Sequence, residues 1–232
     1  MSDFFRFPST PHLAWLGDRS ALRDDKLLSA EQADALLARP VVVEEKLDGA
    51  NLGLSLDADG NLRAQNRGQY LAEPYGGQFS RLSAWLGQHG QALRSVLKPD
   101  LILFGEWCAA RHSLDYGALP DWFLAFDVYD GASGNFWSAQ QRNSLAAEAG
   151  LTVVPRILEG HTSLPDLLRL VAETPSRYRT GQPLEGVVVR QDAALTCEAK
   201  AKLVRADFAQ AIEEHWRSRA IEWNSVDYTL RD

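Results

Sequence analysis

The sequence has few cysteines and no long apolar segment. Its two cysteines, Cys108 and Cys197, are too few for a disulfide framework and are typical of a reducing cytoplasm. The five histidines show no metal-ligand spacing with these cysteines, so a structural zinc site is not expected. No apolar run has the length of a membrane span, and the N-terminus has no cleavable signal pattern. We therefore predict a cytoplasmic protein without membrane contact.

The chain also lacks a surplus of basic residues. Its 24 Lys and Arg are outnumbered by 31 Asp and Glu, which gives a net charge of −7. This balance excludes nucleic acid binding through a uniformly basic surface, but it leaves room for a local basic groove. The sequence shows no internal repeat, low-complexity linker or composition break. We expect residues 1–232 to form one domain, in which an N-terminal extended segment of about 40 residues lies over the main body.

Strand patterns outnumber helix patterns along the chain. Apolar or alternating runs predict strands at 41–46, 52–56, 62–65, 101–104, 122–130, 152–157, 185–190 and 199–204. Capping residues and helical spacing predict helices at 29–38, 79–97 (interrupted at His89-Gly90), 138–149, 164–172 and 206–221, the last closing the chain. Turn signals join many of the strands directly. The pattern therefore predicts an α+β fold with mostly antiparallel sheets flanked by helices.

One stretch, Val41 to Asn51, combines a buried strand with unusual chemistry. Its β-branched residues lead into Lys46, a lysine that stands between acidic residues. If the backbone stays extended, Lys46 and Asp48 point to the same side, and Gly49 then lets the chain bend or approach a ligand. A lysine in a pocket can lose its proton and attack an electrophile. The alternative is a strand end with a solvated charge cluster, which is common.

Further strands also end in charged side chains. Arg67 follows the predicted hairpin, Glu106 follows an apolar strand, Glu185 precedes another, and Lys200 and Lys202 share one face of the last strand. Each of these residues alone is equally consistent with an ordinary solvated position or with protection of a sheet edge. Their order along the chain favours one shared pocket.

Five motifs carry a resemblance to a known superfamily. Lys46-Leu47-Asp48-Gly49, Phe104-Gly105-Glu106-Trp107, the aromatic stretch 123–127, Glu185-Gly186-Val187-Val188 and Lys200-Ala201-Lys202 resemble, in the same order, the motifs of the covalent nucleotidyltransferases. That superfamily includes DNA ligases, RNA ligases and mRNA capping enzymes. Asn51 and the stretch from Glu106 to Asp127 are similar to the RNA ligase branch related to phage T4 RNA ligase 2. The resemblance implies an adenylation domain of this ligase type (related to the ATP-grasp fold).

The resemblance also implies a reaction and a set of site residues. Lys46 would attack the α-phosphate of ATP and carry AMP, which then passes to a 5′-phosphate end that a 3′-hydroxyl seals. Lys200 and Lys202, with Mg²⁺ or Mn²⁺, would lower the pKa of Lys46 and neutralise phosphate charge. Phe126 would stack on adenine. The implied catalytic residues are Lys46, Lys200 and Lys202; the implied nucleotide-binding residues are Glu45, Lys46, Asp48, Asn51, Arg67, Glu106, Phe126, Glu185, Lys200 and Lys202; the implied metal ligands are Glu106, Asp127 and Glu185.

The C-terminal region departs from the pattern of the superfamily. DNA ligases and capping enzymes carry an OB-fold after the last motif, and about thirty residues follow Lys202 here, too few for that barrel. The expected partners are RNA ends, including a nicked duplex, and a protein that assists end recognition. Three alternatives remain open: a DNA ligase, a capping-type guanylyltransferase, and a non-catalytic nucleotide or nucleic acid binding module.

Overall fold

The computed structural model describes residues 4–17, 27–211 and 220–230, without the side chains of 209–211. Its strands are β1 (Val41–Lys46), β2 (Ala50–Leu56), β3 (Leu62–Gln65), β4 (Leu101–Trp107), β5 (Phe123–Asp130), β6 (Asn135–Phe136), β7 (Arg156–Gly160), β8 (Gly186–Asp192) and β9 (Cys197–Val204). Its α-helices are α1 (Ala30–Leu37), α2 (Leu82–Val96), α3 (Ala139–Glu148), α4 (Leu164–Glu173) and α5 (Ala206–Ala211). Short 3₁₀ helices cover Gly77–Phe79 and Tyr228–Leu230.

The strands form two antiparallel sheets. The four-stranded sheet has the order β7-β1-β8-β9, and the five-stranded sheet has the order β3-β2-β4-β5-β6. The chain passes from one sheet to the other between β1 and β2, through Leu47, Asp48 and Gly49. The predicted α+β class with antiparallel sheets is confirmed, and the motif around Lys46 forms the connection between the sheets.

Side-chain alternation gives the four-stranded sheet two different faces. Val41 and Val43 of β1 pack in an apolar core with residues of β8, β9, α1 and α4. Other residues of β1, such as Glu44 and Lys46, face the opposite side of the sheet. The period of two therefore places charged side chains on one face while the opposite face stabilises the fold.

The five-stranded sheet packs against α2 and α3 through a second apolar core. The sequence pattern predicted a break at His89-Gly90, and this prediction is wrong because α2 is continuous over 15 residues. A Cβ at Gly90 would lie 3.3 Å from Cδ1 of Leu62 in β3. The glycine thus permits close packing of the helix on the hairpin and does not interrupt the helix.

Two other predicted elements differ in the structure. The strand predicted at 152–157 forms farther along the chain, as β7 (Arg156–Gly160). Val153 and Pro155 make only isolated backbone contacts with neighbouring strands. The helix predicted at 206–221 is described as far as Ala211, and residues 212–219 lie outside the described part. Residues 220–227 are not helical, and Trp223 pairs with Ala110.

The described residues at the N-terminus contact both sheets. The carbonyl of Phe5 accepts a hydrogen bond from the side chain of Gln65 in the five-stranded sheet, at 2.8 Å. Pro11 and Leu13 pair with the backbone of Lys202 in β9. Among the described residues, no helix is both long and apolar enough to cross a membrane.

Candidate active site

A cavity of about 700 Å³ lies between the polar faces of the two sheets. Most of the residues singled out in the sequence line it: Glu45, Lys46, Asn51, Arg67, Glu106, Phe126, Asp127, Lys200 and Lys202. The remaining two, Asp48 and Glu185, contact residues of the cavity wall. The fold therefore brings together residues that are distant in sequence.

Lys46 is the last residue of β1, and its ammonium group is paired with Glu185. The Nζ atom lies 2.6 Å from Oε1 and 2.7 Å from Oε2 of this carboxylate. Glu185 stands beside Gly186, where a Cβ would lie only 2.3 Å from the carbonyl oxygen of Leu203. The glycine therefore allows β8 and β9 to approach closely and keeps Glu185 at the end of Lys46.

Two further carboxylates surround this ion pair. Oε1 of Glu106 accepts a hydrogen bond from the amide of Gly49 at 2.9 Å. Asp48 lies two residues beyond the end of β1; its Oδ2 accepts hydrogen bonds from the amides of Ser113 and Leu114 at 2.7 and 3.0 Å, and its charge acts on Lys46.

The electrostatics of this cluster are dominated by its excess of acid. Burial raises the pKa of Glu106 to about 7 and that of Glu185 to about 7, although the Lys46 ammonium opposes both shifts. Burial lowers the pKa of Lys46, but Glu185, Glu106 and Asp48 together raise it above its ordinary value. The predicted lowering by Lys200 and Lys202 is thus wrong for the protein without ligands. Three carboxylates share one ammonium group, so Lys46 is protonated and the acids are incompletely compensated.

Lys200 has carboxylate and aromatic neighbours. Its Nζ binds Oδ2 of Asp127 and lies 3.7 Å from the ring centroid of Phe136 and 4.9 Å from that of Phe7. The other oxygen of Asp127 accepts a hydrogen bond from Arg190 at 2.5 Å. These two cations lower the pKa of the Asp127 carboxyl group. Both oxygens of Asp127 are therefore engaged by cations, as both oxygens of Glu185 are by Lys46, and the assignment of Asp127 as a metal ligand stays a prediction.

Phe126 lines the cavity, and two buried arginines hold its backbone in place. Its carbonyl oxygen accepts hydrogen bonds from Arg142 at 2.7 Å and from Arg190 at 3.0 Å. The ring of Phe7 meets the ring of Phe126 edge to face, with centroids 5.4 Å apart. This geometry leaves Phe126 able to stack on a planar ligand in the cavity.

The remaining predicted nucleotide-binding residues differ in what they offer the cavity. The carboxylate of Glu45 accepts hydrogen bonds from the Ser176 hydroxyl and the Arg177 amide, so Glu45 anchors a loop and only borders the cavity. Arg67 is exposed at the rim. The side-chain oxygen of Asn51 is buried in the wall without a hydrogen-bond partner. A buried unpaired acceptor is unfavourable, so the side-chain oxygen of Asn51 is available to accept a hydrogen bond from a bound ligand.

Sequence reasoning missed several residues of the site. Arg142 is almost fully buried and forms a two-point ion pair with Glu44, at 2.5 and 3.1 Å. Arg190, in β8, is also almost fully buried, with only 1 % of it exposed. Strand alternation could have placed Glu44 and Arg190 on the polar face, whereas nothing in the sequence places Arg142 there.

The donor set of the cavity fits a hard divalent cation. In the described residues, no group of three or more His, Cys, Asp or Glu is arranged to hold a metal. Glu106 and Glu185, however, supply oxygen atoms and are poorly compensated by Lys46. Magnesium commonly binds one or two carboxylates together with water and substrate phosphates. These two residues therefore fit the metal, which would complete its coordination from the substrate.

These features define a class of protein. A lysine paired with a buried carboxylate, in a cavity between two antiparallel sheets that two lysines of the same sheet also line, fits the fold of a nucleotidyltransferase. The family model described as "RNA ligase" matches residues 39–204, most of the sequence. The chain therefore belongs to the RNA ligase family.

Solved structures support the same fold. A variant of Naegleria gruberi RNA ligase with ATP and Mn is 16 % identical, covers 92 % of this chain and 60 % of its own, and gives a TM-score of 0.68. A variant of that protein with AMP and Mn has the same identity, covers 93 % of this chain and 60 % of its own, and gives 0.67. The ligase with PPi is 20 % identical, with coverages of 80 % and 54 % and a TM-score of 0.59.

The chain thus spans about three fifths of the length of these solved structures, and the low identity establishes the fold alone. Comparison with curated proteins finds no significant match.

Proposed function

We propose that this protein is an ATP-dependent RNA ligase that carries AMP on Lys46. The observation that supports this most strongly is the position of Lys46, which lines the cavity with a side chain that is 26 % exposed and whose amine is surrounded by acidic groups. A reactive amine needs such a restricted, water-poor setting to attack a phosphate in preference to remaining hydrated. Family membership and the match to an RNA ligase with bound ATP and Mn point in the same direction.

In the first step, Lys46 Nζ attacks the α-phosphorus of ATP. A nitrogen–phosphorus bond forms, the bond from the α-phosphorus to the bridging oxygen breaks, and pyrophosphate leaves with that oxygen. The lysine must first lose a proton, and Glu185 is the nearest acceptor because its carboxylate already contacts Nζ. Lys200 and Lys202 stabilise the negative charge that develops on the phosphate groups.

The other residues of the cavity bind and orient the nucleotide. Phe126 stacks on adenine, the unpaired oxygen of Asn51 accepts a hydrogen bond from the ribose or from Lys46, and Arg67 contacts ribose or phosphate from the rim. Glu106 and Glu185 hold Mg²⁺ or Mn²⁺, which when bound offsets the charge of the carboxylates and phosphates. The match to a ligase variant with AMP and Mn supports this set.

In the later steps, AMP passes to the 5′-phosphate of one RNA end, and the 3′-hydroxyl of another end displaces it. The chain spans about three fifths of its solved relatives, so a further domain or partner protein is expected to assist end recognition. The free cysteines, Cys108 and Cys197, support a reducing compartment such as the cytoplasm. A DNA ligase or a guanylyltransferase would use the same lysine, and a binding module would leave it unused.

The first step can be tested by covalent labelling. Incubation with α-labelled ATP and Mg²⁺ or Mn²⁺, followed by denaturing electrophoresis, should label the wild-type protein and not the Lys46→Ala variant. Lys98→Ala is the matched control, because Lys98 is an exposed lysine remote from the cavity lining, and it should label normally. Labelling by GTP alone would indicate capping chemistry instead. Absence of label from every nucleotide would refute covalent transfer.

The strand preference requires a second assay. Pre-adenylated protein should seal nicked RNA duplexes or single-stranded RNA that carries a 5′-phosphate, and it should act more slowly on nicked DNA. Preferred sealing of nicked DNA would make the protein a DNA ligase. Adenylation without sealing of any strand would show that a partner or an additional domain is needed for end recognition.

A further inference from the structure

The C-terminal segment 220–230 packs on the loop that follows β4. Backbone hydrogen bonds join the amide of Arg111 to the carbonyl of Glu222, at 2.8 Å, and the amide of Asn224 to the carbonyl of Ala109, at 2.9 Å. Farther along, Leu119 exchanges hydrogen bonds with Ser225 and Asp227. The loop between β4 and β5 is therefore held along its length by a segment of the chain that follows the last motif.

Asn224 is the centre of this contact. It is 7 % exposed, and its side-chain oxygen accepts a hydrogen bond from the amide of Tyr116 at 2.9 Å. Its side-chain nitrogen donates to the carbonyl of Cys108 at 2.8 Å. One side chain thus ties the start of the loop at Cys108 to its middle at Tyr116, as a buried amide can when all its polar atoms are used.

The same loop holds the turn that carries Lys46. The hydroxyl of Tyr116 accepts a hydrogen bond from the amide of Asp48 at 2.8 Å. In addition, the Asp48 carboxylate accepts the amides of Ser113 and Leu114. The Tyr116 ring is 2 % exposed and packs in an apolar cluster that includes Leu47. Three hydrogen bonds from one loop therefore fix the residues that follow Lys46.

We propose that Tyr116 and Asn224 are positioning residues that hold the turn after Lys46, so that Nζ is aimed at the α-phosphate. This inference rests on the proposed function for its catalytic consequence. Neither side chain lines the cavity, and both act through the backbone of the loop and the turn. Small misplacements of a nucleophile reduce the rate of attack more than the binding of substrate.

The variant Tyr116→Phe tests the first link, because it removes one hydroxyl and keeps the ring. We expect the single-turnover rate of Lys46 adenylation to fall about tenfold or more, with the apparent affinity for ATP changed by less than about twofold. Tyr178→Phe is the matched control. Tyr178 lies in the same apolar cluster and is 6 % exposed, and among the described residues its hydroxyl donates or accepts no hydrogen bond with the turn after Lys46, unlike that of Tyr116. This control should adenylate at the wild-type rate.

Substitution of Asn224 tests the contact between the C-terminal segment and the loop. Asn224→Ala should reduce the adenylation rate in the same way, and Asn224→Asp should restore part of it, because a carboxylate oxygen still accepts the Tyr116 amide. Combining Tyr116→Phe with Asn224→Ala should reduce the rate by less than the product of the single effects, since both act on one contact.

Hydrogen exchange gives a readout that does not depend on activity. In Tyr116→Phe the Asp48 amide should exchange faster than in the wild-type protein, while amides of α2 and β5 should keep their protection. Unchanged exchange at Asp48, or a rate loss in Tyr116→Phe that is explained by a lower affinity for ATP, would overturn the inference. If the wild-type protein does not adenylate at all, the proposed function fails. The exchange rate of the Asp48 amide in Tyr116→Phe still shows whether Tyr116 holds the turn.

Discussion

Lys46 and Glu185 are 139 residues apart in the sequence, yet Nζ of the lysine lies 2.7 Å from Oε2 of the glutamate. This pair joins the last residue of β1 to the residue that precedes β8, on adjacent strands of one sheet. Since the acid and the amine neutralise each other, the resting site holds the lysine in its charged form. Binding of substrate and metal must therefore weaken this pair before the amine can react.

We expect the Glu185→Gln substitution to lower the pKa of Lys46 by about one unit or more. A hydrogen bond to a charged group contributes about 1.5–3 kcal/mol, and one pKa unit corresponds to about 1.4 kcal/mol. Burial also lowers the pKa of Lys46, and this effect is less opposed once the Glu185 carboxylate is removed. Competitive acylation across pH, read by mass spectrometry with exposed Lys98 as internal reference, measures the shift. An unchanged Lys46 pKa would contradict the proposed electrostatics.

Divalent cations should stabilise the protein more at pH 8 than at pH 6. The folded-state pKa of Glu106 is raised to about 7 from an ordinary 4.5, so its protonated form favours folding below about pH 4.5 and that contribution is lost as pH rises through 7. A bound cation needs the ionised form and offsets this loss. The increase in melting temperature with Mg²⁺ or Mn²⁺ should therefore grow with pH. In Glu106→Gln the pH dependence should diminish, and an undiminished dependence would exclude Glu106 as a ligand.

Gly49→Ala should destabilise the protein and slow adenylation. A Cβ at this position would lie 2.6 Å from the carbonyl oxygen of Trp107 and 3.1 Å from Cγ of Glu106. The turn must shift to relieve this contact, and such overpacking costs about 1–3 kcal/mol. Gly68→Ala is a matched control in the cavity wall, because its nearest neighbour would be 3.6 Å away. Urea unfolding and single-turnover labelling should distinguish the two variants, and equal behaviour would disprove the steric argument.

The buried pair Glu44 and Arg142 should be strongly coupled. Both side chains are at most 3 % exposed, so Glu44→Gln leaves the Arg142 cation without its counter-charge and should cost about 3–5 kcal/mol of unfolding free energy. The double variant Glu44→Gln/Arg142→Met should be less destabilised than the sum of the single variants. Denaturant unfolding of all four proteins measures this coupling, and simple additivity would show that the pair contributes independently.

The sequence allowed the site to be predicted where local pattern and chemistry agree. Lys46, Glu106 and Lys200 follow from strand ends and motif order, and the structure brings them to one cavity. The resemblance implied that Glu45 binds the nucleotide, but alternation along β1 turns its carboxylate toward Ser176. Local sequence specifies which face of a strand a residue occupies more directly than which partner it meets.

Contacts between distant segments could not be predicted. The engagement of Asp127 by Arg190 and Lys200 depends on the pairing of β8 with β9 and on the position of β5 beside them. No periodicity or composition signal marks Asn224 or Arg142, because their partners lie on segments that are distant in sequence. The roles of these residues therefore depend on the tertiary arrangement of the folded chain.

The aromatic N-terminal segment has a practical consequence for how the protein is divided. The region matched by the family model starts at residue 39, whereas Phe7, Ser9 and Thr10 line the cavity from outside that region. A shortened protein that starts at Arg39 would retain every recognisable motif and still lose one side of its binding chamber. Trimming the gene to its recognisable motifs would therefore leave Lys200 and Phe126 without the ring of Phe7 and open that side of the cavity to water.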